Sequence, residues 1–207
     1  LEVKKAANNS EEISMKHAHA NHAGWGHRSG NDHQHGFARG DRCRTDDDTT
    51  TQTTPQVTTD TYSDEAVAEL LFMIEEEKLA GDVYESFYDL YGVRIFNNIA
   101  HSEDRHFDAL VRQAEAMDLD ISDILDNDAG TFENAELQTM YDNLIATGNE
   151  SLEAALEVGV TIEEKDIVDI AAASDSVEGT TLAYVYDHLL EGSNHHLDAF
   201  ENALNYY

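Results

Sequence analysis

The sequence predicts an all-α fold: an antiparallel four-helix bundle over residues 61–207, with a long connection between its second and third helices that carries a short helix. An irregular N-terminal tail, residues 1–60, precedes it. Three observations carry this expectation. Apolar residues after Ser63 recur at the 3.6-residue spacing of amphipathic helices. The single proline, Pro55, lies outside every such stretch, and helix interiors exclude proline. The hydrophobic fraction of 41% suffices for a core, yet no apolar run approaches the roughly 18 residues that a membrane span needs.

Each element has its own signals. The first helix is expected over 64–91, with Val67, Leu70, Leu71, Ile74, Tyr84 and Tyr88 on one stripe. Ser63, followed by Asp64 and Glu65, makes an N-cap and an acidic first turn, and Gly92 is a natural stop. The second helix is expected over 96–117, with stripe Ile99, Glu103, His106, Leu110 and Met117. The short link at Gly92-Val93-Arg94 makes these two antiparallel neighbours. An acidic connection from Asp118 to Asn134 leads to a short helix near 135–147, ended by Gly148. The third long helix spans about 150–173, with Leu156, Val160, Glu163, Ile167 and Ile170 inward. The fourth spans about 176–205, with Leu182, Val185, Leu189, Ser193, His196, Phe200 and Leu204 inward. One long crossover between the second and third long helices is the ferritin-like connectivity.

The tail differs in kind. It holds a Gly/His-rich stretch (17–40), a Thr/Asp-rich stretch (45–60) and few large apolar residues, a composition expected of a linker or a disordered segment. Six histidines fall there: His17, His19, His22, His27, His33 and His35, whose spacing matches no closed tetrahedral metal signature. The chain carries 43 acidic against 12 basic side chains, a net charge of −31. Residues 61–207 hold only five of the basic ones, Lys78, Arg94, Arg105, Arg112 and Lys165, so the tail is nearly neutral and the body strongly acidic. Such a surface repels nucleic acid and anionic lipid, attracts cations and basic partners, and suits a high-salt habitat. The tail is therefore expected to dock on the acidic body of a neighbouring copy, giving a homo-oligomer. Cys43 stands alone, which excludes an intrachain disulfide and any site of four thiolates. The chain opens on Leu1, so processing, export or a cell-surface location is an expectation, with the cytoplasm as the alternative.

Polar residues interrupt each inner stripe near its middle. They are Glu77 on the first helix, Glu103 and His106 (i, i+3) on the second, Glu163 and Asp166 on the third, and Ser193 and His196 (i, i+3) on the fourth. A charge on an apolar stripe is costly unless it is paired or metal-bound. Five basic side chains in the body are too few to pair these groups, whereas one or two dications would neutralise the carboxylates and take the imidazole nitrogens. The expected ligands are Glu77, Glu103, His106, Glu163, Asp166 and His196, in the Glu-x-x-His pattern of di-iron bundles. Glu75, Glu76 and Glu164 are expected to be solvated, although Glu76 or Glu164 would replace these choices if a helix were rotated. His195, His101 and His188 are expected at the surface, and Tyr84, Tyr141 and Tyr186 in the core.

Several blocks resemble the family of unknown function called DUF2202, a ferritin-like family. They are Leu71 to Ala80 with Asp82-Val83-Tyr84, Ile95 to Ala100 leading to Ser102-Glu103-Asp104-Arg105-His106, Gly159 to Ile170, and Gly192 to Leu197. The resemblance covers about 63–204. More distantly the body is similar to rubrerythrin. Glu77, Glu103 with His106, and Glu163 with Asp166 fall at that family's ligand positions, while Ser193 and His196 stand where it places carboxylates. The resemblance implies a metal site, in the first instance two irons, with a single ion, zinc or manganese as alternatives. It also implies ferroxidase or peroxide-reducing activity. A rubredoxin module is absent, so electrons have to come from a separate donor. The other reading is a structural subunit of a surface assembly or filament, joined through the tail, with the metal structural.

Overall fold

The computed structural model describes residues 60–206. The expectations for the tail, including its boundary at residue 60, its histidines and its docking role, lie outside the described residues. Six helices follow: α1 (Asp64–Tyr91), α2 (Arg94–Ala116), α3 (Ser122–Leu125), α4 (Ala135–Gly148), α5 (Leu152–Ser176) and α6 (Thr181–Leu204). Four are long, and the described residues contain no strand. α3 is a single turn within the crossover that the periodicity does not predict. No helix among the described residues is long and apolar enough to cross a membrane.

Side-chain caps set most helix starts. Ser63 Oγ accepts from Ala66 N–H, Ser151 Oγ from Ala154 N–H and Thr180 Oγ1 from Ala183 N–H, while Asn134 Oδ1 takes two amides of α4. Each cap is worth about 1 kcal/mol. α1 ends where expected, at Gly92, whose φ of 67° is left-handed and whose N–H reaches the Tyr88 carbonyl.

The apolar core comes in two parts. One contains Leu70, Met73 and Ile74 of α1, Leu110 and Ala114 of α2, Ile170 and Ala173 of α5, and Leu182, Tyr186 and Leu189 of α6. The other contains Leu79, Ala80, Val83, Tyr84 and Phe87 of α1, Phe96, Ile99 and Ala100 of α2, Ala155, Leu156, Val158 and Ile162 of α5, and Phe200 of α6. Traced along the chain, α1 and α6 run from the first part to the second, and α2 and α5 run the opposite way. All contacting pairs of long helices (α1 with α2 and α5, α6 with α5 and α2) are therefore antiparallel. α2 ends at the first part and α5 begins at the second, so the crossover has to travel the length of the bundle. It does so along α1 and α5, on which α4 packs.

Anchors hold the crossover to α1. Lys78 pairs with Asp82 at 2.7 Å and donates to the Asp128 and Thr131 carbonyls. Asp82 also accepts from Gly130 N–H at 2.8 Å, and Glu75 accepts from Asn134 N–H at 3.0 Å. Phe132 lies beneath the Lys78 ammonium, 4.7 Å from ring centre to nitrogen.

Candidate metal centre

Between the two apolar parts lies a layer of buried polar side chains. α1 contributes Glu75, Glu76 and Glu77, α2 Glu103, α5 Glu163 and Asp166, and α6 Ser193 and His196; His106 of α2 borders it, its side chain 11% exposed. Each helix reaches the layer in mid-span, which is why the four stripes are interrupted at one level.

Five of the six predicted ligands fall into two groups of three: Glu77, Glu103 and His106, and Glu103, Glu163 and His196. In each group one donor atom per residue lies within 4.8 Å of the others. Glu103 belongs to both. Its Oε2 lies 2.7 Å from His106 Nδ1 and its Oε1 lies 2.7 Å from His196 Nδ1. His106 Nδ1 is also 3.2 Å from Glu77 Oε2, and His196 Nδ1 is 3.5 Å from Glu163 Oε2. The two imidazoles stack with centroids 5.5 Å apart. Asp166 falls in neither group, although it is fully buried and the carboxylates of Glu76, Glu77, Glu163 and Glu103 all act on it.

Close approach is not the same as satisfaction. Neither oxygen of Glu103 has an aligned hydrogen bond, and the same holds for Glu77 Oε1, Glu163 Oε2, both oxygens of Asp166 and His196 Nδ1. Each such buried orphan costs about 1–3 kcal/mol, more if charged. The pattern suits ligation, because donors each about 2.1 Å from one ion sit roughly 3 Å from each other. Carboxylate with imidazole is a donor set for iron, manganese or zinc, and a carboxylate shared by both groups can bridge two ions. The residues present therefore fit a metal.

Electrostatics agree with a layer short of positive charge. Burial pushes the carboxyls of Glu77 up to about 8 and Glu163 up to about 7, and raises Asp166 well above the carboxylate range. Burial also acts on Glu103, but the two imidazoles outweigh it and hold that carboxyl at about 2. In turn burial lowers the imidazoles, and their carboxylate neighbours overcome it, lifting His106 to about 10 and His196 to about 9.

Supporting residues complete the layer. Tyr84, buried as expected, donates its hydroxyl to Glu163 Oε1 at 2.7 Å and so orients that carboxylate. Tyr186 is buried and Tyr141 half-buried. Ser193 spends its hydroxyl on the Leu189 carbonyl rather than on His196. Glu164, His195, His101 and His188 are exposed, as expected. Glu75 and Glu76 correct the sequence reading: both are buried, because α1 is covered by α2, α4 and α5 and has no solvated side at this level. Glu76 pairs with Lys165, which also reaches Asp169. Gly192 is a further residue that the periodicity missed. A Cβ there would come within 2.6 Å of His106 Nε2, so the glycine admits the imidazole. A glycine in mid-helix, costing about 1 kcal/mol against alanine, was the available signal.

A family described as "Uncharacterized protein domain (DUF2202)" matches residues 66–206. The uncharacterized protein MJ0754 of Methanocaldococcus jannaschii is 39% identical over 146 residues, covering 70% of this chain and 78% of the relative. The crystal structure of the hypothetical protein MJ0754 from Methanococcus jannaschii superposes with a TM-score of 0.68 at 35% identity. It covers 73% of this chain and 86% of that one.

Proposed function

The chain belongs to the DUF2202 family, and from its own buried layer we propose that it is a metal-binding redox protein. Glu77, Glu103 and His106 hold one divalent ion, and Glu103, Glu163 and His196 hold a second. Asp166, close to both groups and without a partner, is the further carboxylate ligand. Iron is the metal proposed, and the activity is oxidation of ferrous iron or reduction of peroxide. When bound, an iron pair supplies two electrons to an oxidant; returning them requires a separate donor. The chain's residues bind the ions, keep water out through the apolar parts on either side, and orient Glu163 through the Tyr84 hydroxyl.

The observation that carries this reading is that both Glu103 oxygens, Glu163 Oε2 and His196 Nδ1 approach one another or His106 in the buried layer with no aligned hydrogen bond. Full-length protein loaded anaerobically with ferrous iron and desalted should retain two irons per chain by elemental analysis, and should consume peroxide on mixing. Glu103→Ala should lose both properties. A wild-type chain that retains no metal refutes the proposal.

The charge contrast between residues 1–60 and the acidic remainder favours a second reading, a homo-oligomeric surface subunit joined through the tail with a structural metal. Electron microscopy of the full chain and of a chain lacking residues 1–60 separates the two. Filaments or rings that vanish with the tail support the second reading, and identical particles oppose it.

A further inference from the structure

A cavity of about 220 Å³ opens beside the metal layer, between α1, α2 and the crossover. Its lining grades from solvent to interior. Glu85, Asp104 and Leu125 are exposed, whereas Glu77, Gly81 and Glu103 are buried. Glu77 and Glu103 of the proposed site form its inner wall; their side chains are sealed from solvent, and each carries an oxygen with no hydrogen-bond partner. On α1 the residues Glu77, Gly81 and Glu85 follow at four-residue intervals and share one face. Gly81 lies against Glu103, 3.7 Å from where a Cβ would stand to Glu103 Cβ, so the two helices pack closely behind the cavity. Ile124 and Leu125 of the single-turn helix α3 supply the apolar side.

We propose that this cavity is the port through which divalent cations reach the buried layer, with Glu85 and Asp104 as the carboxylates that draw them in. The inference rests on the metal-binding reading and adds its route. The geometry favours a small hydrated cation over an organic substrate, because the space is that of a few water molecules and its lining sets Glu77, Asp82, Glu85, Glu103 and Asp104 against one ammonium, Lys78, which Asp82 already pairs. Like-charge crowding points the same way. Burial, then the Asp104 and Asp82 carboxylates, hold the Glu85 carboxyl above its ordinary range, with His101 acting against them. A passing cation relieves that repulsion. Focusing of this kind raises the arrival rate of a counter-ion by about tenfold or more at low salt.

The test is stopped-flow loading of the metal-free full-length protein with Co(II), read by the visible absorption of the bound ion. Equilibrium stoichiometry is measured in parallel. The double variant Glu85→Gln/Asp104→Asn should load about 3- to 10-fold more slowly at 20 mM ionic strength. It should reach the same final stoichiometry and show a shallower dependence on salt. Glu153→Gln/Glu157→Gln removes the same charge from the exposed face of α5, away from the port, and should load at the wild-type rate. If wild type loads but the port variant keeps its rate, or if both variants slow equally, the port is overturned while the metal site stands. If the port variant loses stoichiometry, the two residues are ligands and the port assignment is wrong. Wild type that takes up no Co(II) overturns the site and the port together.

Discussion

Glu103 belongs to both of the three-donor groups proposed to hold metal, and Glu103→Gln isolates its share in each. The substitution preserves shape and removes one buried charge. In the metal-free chain it strips both imidazoles of their 2.7 Å partner and leaves His106 with Glu77 at 3.2 Å and His196 with Glu163 at 3.5 Å. Removing one member of a buried ionic contact costs about 3–5 kcal/mol, which for a chain of this size lowers Tm by roughly 6–20 °C. Metal then amplifies the difference. At a free ion concentration of 100 Kd each occupied site adds about 2.7 kcal/mol, so two sites add about 5 kcal/mol and raise the wild-type Tm by roughly 10–20 °C. The variant, with neither group complete, should gain under a third of that shift. Differential scanning calorimetry with and without ferrous iron, under argon, gives all four numbers. Equal metal-induced shifts in wild type and variant would show that Glu103 does not link two ions, and the arrangement proposed above would be wrong.

Three further outcomes follow from the same layer. In the metal-free chain the carboxyls of Glu77 and Glu163 titrate higher folded than unfolded, as do both imidazoles, so the folded state holds more protons. Stability is then fullest near pH 5 and declines as pH rises toward 9; Glu103, held at about 2, acts oppositely only below about pH 4.5. Melts of chelator-treated protein from pH 5.5 to 9 should fall monotonically, and a rise would contradict the assigned burial. Gly192→Ala should displace the His106 ring and drop retained metal from two equivalents toward one, despite the roughly 1 kcal/mol that alanine adds to a helix; an unchanged stoichiometry would mean that His106 is no ligand. Lys165→Met should destabilise by about 2 kcal/mol, because Glu76 is left buried without its partner while the ammonium was already a third exposed. Adding Glu76→Gln should recover most of that loss in urea titrations, and additive losses would show the two residues to be uncoupled.

The legible parts of the fold were those that obey one local rule. α1 is bounded by a serine cap and a left-handed glycine, and both can be read from residue type alone. The buried polar layer was visible because a charge on an apolar stripe has no cheap explanation, and the stripes of α2 and α6 each carry theirs at i, i+3. The burial of Glu75 and Glu76 is not visible in the periodicity, which assumes one inner face, whereas α1 is enclosed on three sides by α2, α4 and α5. A hint was present in the nearly continuous apolar run Leu79-Ala80-Gly81 with Val83 and Tyr84, which leaves little surface to solvate. α3 was illegible for a different reason. A single turn has no period to detect, and its position is set by Ile124 covering α1 and α2 rather than by any propensity of Ser122 to Leu125. Gly192 could be seen as a cost in the sequence, but what it makes room for depends on a neighbouring helix.

The two three-donor groups are not equivalent with respect to chain connectivity. Glu77, Glu103 and His106 all lie on α1 and α2, a hairpin closed by a two-residue turn, so that half of the proposed centre would need only local folding. Glu163 and His196 arrive on the other hairpin and borrow Glu103 across the seam. An ion captured early would therefore nucleate the first hairpin before the second one docks, and the later ion would act as the rivet that fastens the two together.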